Sequence, residues 1–86
     1  MDLLQNYVVV RLPRWRMGVT LDNAETYQRD HAAIQVWAAN HKEVLDEHDM
    51  AAVARITATQ FPRIVRIQIT DEESGCGYEL LPTGIT

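Results

Sequence analysis

The stretch YVVVRLPRWRMGVTL, residues 7–21, decides the fold. Tyr7 to Leu12 contains three consecutive valines, whose branched side chains suit a pleated strand better than a helix. Pro13 interrupts that run, because proline has no N–H to donate to a ladder. From Trp15 the pattern alternates strictly, with Trp15, Met17, Val19 and Leu21 on one side and Arg16, Gly18 and Thr20 on the other. That is the period-2 signature of a half-buried strand. Leu12 to Trp15 then forms a tight hairpin turn or a bend, and Gly18 is a candidate bulge.

Downstream the period changes. Asp22 followed by Glu25 suits a helix start, with an acid in the first turn favoured by the helix dipole. Tyr27, His31, Ile34, Trp37, Ala38, His41, Val44, Leu45 and His48 then recur every three or four residues, an apolar stripe about 140° wide. A single helix from Ala24 to His48 would be about 37 Å long, and Asn40 offers a natural break. Asp46 or Asp49 can cap a further helix over Met50 to Gln60, which Pro62 stops. Arg63 to Thr70 alternates again, predicting Val65, Ile67 and Ile69 inward and Arg66, Gln68 and Thr70 outward. Asp71 to Gly77 is a turn by composition, and Tyr78 to Leu81 is a last strand ended by Pro82 and Gly84.

The order β-β-α-(α)-β-β predicts an α+β fold. It is a small two-layer domain with a three- to four-stranded, mostly antiparallel sheet. One long or two shorter helices pack on one face. Residues 1–86 are too few for two domains. No apolar run, Val8 to Val10 included, is long enough to cross a bilayer, and no basic segment precedes an apolar one at the start, so neither membrane nor secretory signal is expected. A single cysteine forms no internal disulfide and fits a reducing cytoplasm. The net charge of −4 disfavours a surface that clamps nucleic acid all round.

Charge is sorted into blocks along the chain. Residues 3–21 and 50–70 are basic and are the blocks with strand character; residues 22–49 and 71–86 are acidic and hold a helix and a turn. A positive sheet backed by a negative helical surface is the simplest expectation.

The chemistry-bearing residues are sparse. All three histidines lie on the helical stripe, but none has a carboxylate, histidine or cysteine three or four positions away. His41 and His48 are separated by about 10.5 Å of rise on one straight helix, too far to share an ion. Partly buried structural histidines are therefore expected, and no metal site. Cys76 stands between glycines beside Asp71, Glu72 and Glu73, with no cation near it in sequence to activate a nucleophilic thiol. Ser74 is the only serine and has no histidine near it in sequence, and no glycine-rich phosphate loop occurs. No catalytic residue and no cofactor is expected, and the chain reads as a non-enzyme.

The arginines carry the best lead. Seven of the eight basic residues are arginine, the side chain that makes planar bidentate contacts to carboxylate and phosphate. Arg11, Arg14, Arg16, Arg63 and Arg66 are the candidate anion- or partner-binding residues, with Arg11, Arg16 and Arg66 on the outward face of the sheet. The ordinary role of such arginines is to solubilise a sheet and blunt its edges. Glu43, Asp46, Glu47 and Asp49 are the candidate acidic partner-binding residues, on a helix face whose usual role is solvation. The functional expectation is a macromolecule-binding domain, an interaction, inhibitor or adaptor module whose partner is another protein. A homodimer through edge strands or through outward Val9 and Ile64 is one form of it. The alternative is single-stranded nucleic-acid binding through the arginine-bearing sheet face, although the paired stacking aromatics of such platforms are missing.

Overall fold

The computed structural model describes residues 6–82. It is α+β, with four strands in one antiparallel sheet of order β1-β2-β3-β4 and all helices between β2 and β3. The strands are β1 (Tyr7–Arg11), β2 (Arg16–Leu21), β3 (Ile64–Thr70) and β4 (Gly77–Leu80). The helices are α1 (Ala24–Asn40), the one-turn α2 (Lys42–Asp46) and α3 (Met50–Gln60). The expected stop at Gly84 lies outside the described residues.

The first hairpin closes as its alternation requires. Val8 pairs with Val19 and Val10 with Met17, and all four are buried in the core. The Leu12 N–H donates to the Trp15 carbonyl at 2.9 Å, so Pro13 and Arg14 form a tight two-residue turn. Gly18 is no bulge. It pairs in register with both Val9 and Gln68, and it is glycine because the Tyr7 ring lies over it: a Cβ there would come within 2.7 Å of the Tyr7 Cζ.

The irregularity falls instead on β3. Thr20 pairs with Arg66 but Leu21 with Ile64, leaving Val65 as the extra residue of a bulge. A one-residue slip exchanges the faces of everything beyond it. Ile64 therefore turns inward and is 1% exposed, while Val65 is half-buried. The expectation of an outward Ile64 offering a dimer contact is corrected by this bulge.

The helical segment breaks where asparagine suggested. α1 ends at Asn40, and the Trp37 carbonyl accepts both the His41 backbone N–H at 3.1 Å and the His41 Nδ1–H at 2.8 Å. The start is capped by Asn23 rather than Asp22, with Asn23 Oδ1 accepting from the Thr26 N–H at 2.8 Å. Asp49, not Asp46, caps α3 through the Ala52 N–H. Because the chain turns at His41, the stripe does not stay buried along its length. Ile34, Ala38 and Leu45 are core; Tyr27, His31, Trp37 and His48 are half-buried; His41 and Val44 are exposed. Trp37 meets Phe61 edge-on at 5.6 Å and stacks on His41 at 5.4 Å, joining α1 to the end of α3.

All three helices cover the same side of the sheet, with Ile34, Ala38, Leu45, Val53 and Ala54 packed on Val8, Val10, Met17, Val19, Leu21, Ile67 and Ile69. Among the described residues no helix is long and apolar enough to cross a membrane.

Candidate functional site

The other side of the sheet is left bare. Alternation places Tyr7, Val9 and Arg11 of β1, Arg16, Gly18 and Thr20 of β2, Arg66, Gln68 and Thr70 of β3, and Gly77 and Glu79 of β4 on it. Across the strands these residues form rows. One runs Arg11, Arg16, Thr70, Gly77; the next runs Val9, Gly18, Gln68, Glu79. Apolar content is confined to Val9, 44% exposed, and to Tyr7 folded over Gly18.

The charge on this face is mixed, which corrects the picture of a positive sheet backed by a negative helix. Arg66 Nε donates to Glu79 Oε2 on the adjacent strand. Arg11 Nη1 donates to Glu72 Oε1 at 2.9 Å, and Arg16 Nε stands 3.8 Å from Glu72 Oε2. Glu72 and Glu79 of the acidic block thus lie against the arginines of the sheet. Glu72 is held there by its turn: Asp71 Oδ1 accepts from the Glu73 and Ser74 N–H groups at 3.0 and 3.3 Å. The Gly75 N–H donates to the Asp71 carbonyl, at a φ of 80° that favours glycine.

Arg14 leaves the sheet altogether. From the tip of the first hairpin its Nε donates to Asp46 Oδ1 at 2.9 Å and its Nη2 to the His48 carbonyl at 2.8 Å, while its guanidinium carbon lies 4.2 Å from the centre of the Trp15 ring. It straps the hairpin to the α2–α3 junction. Beside it, between the two hairpin turns, is a cleft of about 480 Å³ lined by Pro13, Arg14, Trp15, Asp71, Glu72 and Glu73. Arg63 is exposed just before β3 and joins none of these contacts.

The acidic candidates separate in the same way. Asp46 takes Arg14 and Asp49 caps α3, so both have structural partners, whereas Glu43 and Glu47 are exposed on and just after α2. Among the described residues no three histidine, cysteine or carboxylate side chains converge to hold a metal ion. Sequence reasoning missed Glu72 and Glu79 as sheet-face residues. The alternation of β4 was the available signal for Glu79, and no local signal pointed Glu72, in a turn, toward Arg11.

The fold and face define a class: a small α+β domain with a one-sided antiparallel sheet whose open face bears cross-strand ion pairs. No family model, curated protein or solved structure matches the chain.

Proposed function

We propose that this chain is a non-enzymatic protein-binding module, an adaptor or inhibitor, that docks its partner on the open face of the sheet. The observation behind this reading is the composition of that face: four strands wide, rigidly backed by the core, and bearing arginines already interleaved with Glu72 and Glu79. A polyanion gains most from an uncompensated basic surface. A protein partner, with charges of both signs, gains from a mixed one, where complementary charges set register and exclude wrong partners. Arginine and tyrosine are also residues that protein interfaces favour. The reading needs no catalytic group or cofactor, and a reducing cytoplasm, where an exposed Cys76 would stay a thiol, is the compartment proposed with it.

The test is affinity capture from nuclease-treated extract of the source cells, using the whole chain and a Thr20→Glu/Gln68→Lys variant that recharges the middle of the face. A protein retained by the wild type and lost by the variant supports the reading. Retention of nucleic acid from a parallel extract left without nuclease, falling away between about 50 and about 200 mM salt, would replace it with the nucleic-acid alternative. A second copy of the chain as the only protein retained, lost with the same variant, would make the partner a homodimer.

A further inference from the structure

We infer that Arg11 and Arg16 form a carboxylate-recognition site for a single acidic side chain of a protein partner, and that Glu72 occupies it in the free protein. The inference rests on the protein-binding reading of the open face and assigns one contact within it.

The register carries the argument. Leu12 and Trp15 are a hydrogen-bonded pair, as are Asn6 and Leu21 at the other end of the hairpin. Strict alternation between them puts Arg11 opposite Arg16 in a non-hydrogen-bonded pair, the spacing at which opposed side chains come closest. Like charges directly opposite each other destabilise a sheet. The arrangement is tolerated because an anion sits between them, and the one present is the Glu72 carboxylate from a loop 61 residues away in sequence.

Glu72 fills the site incompletely. It makes one hydrogen bond, to Arg11, and its approach to Arg16 at 3.8 Å is an ion pair too long to be a hydrogen bond. The Arg16 side chain is 48% exposed and makes no hydrogen bond among the described residues, so a planar fork of donors stays open. Two guanidiniums thus share one carboxylate, and only one of them is hydrogen-bonded to it. Further along the row the surface drops to Thr70 and to the bare backbone of Gly77, which leaves room for an approaching chain.

The neighbouring wall selects the ligand. Asp71 and Glu73 flank Glu72 across the cleft, a field that opposes a phosphate dianion or a nucleic-acid backbone. A carboxylate monoanion flanked by neutral residues carries half the charge of a phosphate dianion and meets a correspondingly smaller penalty. Arg14 is not part of the site, since its donors are committed to Asp46 and His48.

The test is a titration of the intact chain with acetyl-alanyl-glutamyl-alanine amide, followed through the arginine Nε–H signals in nitrogen-15 NMR. Saturable shifts at Arg16 and Arg11 are expected, and none with the glutamine version of the peptide. Removing the internal competitor in Glu72→Gln should tighten binding by about two- to fivefold. Arg16→Gln should weaken it by about tenfold, and Arg16→Lys, which keeps the charge but loses the fork, should fall between. Unchanged affinity in Glu72→Gln or in Arg16→Gln would overturn the inference, as would inorganic phosphate binding more tightly than the peptide. The failures are distinguishable: a captured protein that depends on Thr20 and Gln68 but not on Arg16 removes this site and leaves the docking face. A captured protein indifferent to all three removes the face itself.

Discussion

The two faces of the sheet are built from alternate residues of the same strands, yet they obey different physics. On the covered face Val8, Val10, Met17, Val19, Leu21, Ile67 and Ile69 are each no more than 1% exposed, and every side chain is constrained by volume. On the open face the ion pairs are about half exposed, and each is constrained only by a partner that water can replace. The fold is therefore determined on one side and the other side is free to vary. Gly18 is the exception, a position on the open face with a structural constraint of its own.

That contrast can be broken experimentally. Ile67→Ala removes a fully buried side chain and should destabilise the chain by about 2–5 kcal/mol in denaturant unfolding. The bulge sharpens the test, because Ile64→Ala should cost a similar amount while its neighbour Val65→Ala costs no more than about 1 kcal/mol. A larger loss at 65 than at 64 would mean that β3 continues without the extra residue. Next in size is Gly18→Val, which must displace the Tyr7 ring and should lower stability by about 1–3 kcal/mol. The Tyr7→Ala/Gly18→Val double variant should recover part of that loss, since the obstruction is side chain rather than backbone. Asn23→Ala should cost about 1 kcal/mol by uncapping α1, with Asp22→Ala nearly silent in the same thermal melt. Smallest is Arg66→Gln, expected to change stability by less than about 1 kcal/mol. A larger loss would show that the open face contributes to folding after all.

The same division explains what could be read in advance. Wherever burial and a regular period act together the sequence is legible: the first hairpin, the inward Ile67 and Ile69, and the helix over residues 50–60. Asn40 marked the break in the helical segment because a helix end there costs little. The bulge escaped because Ile64 and Val65 are both apolar and β-branched, so either could fill the inward position, and only pairing with β2 chooses between them. The cap escaped because Asp22 and Asn23 are both good capping residues, one position apart. On the open face legibility fails for another reason. Alternation put Arg11, Arg16 and Arg66 there, but the contact that changes their meaning comes from Glu72, placed by a turn whose geometry depends on Asp71 and Gly75. Grouping charges along the chain said nothing of which groups would meet.

At the outer margin of β1, Gln35 of α1 donates its side-chain N–H to the Val9 carbonyl at 2.9 Å. A free edge strand is a template for further strands. Here one of its acceptors is already occupied by the protein's own amide. A strand arriving at that margin would have to displace the Gln35 amide before it could pair along β1.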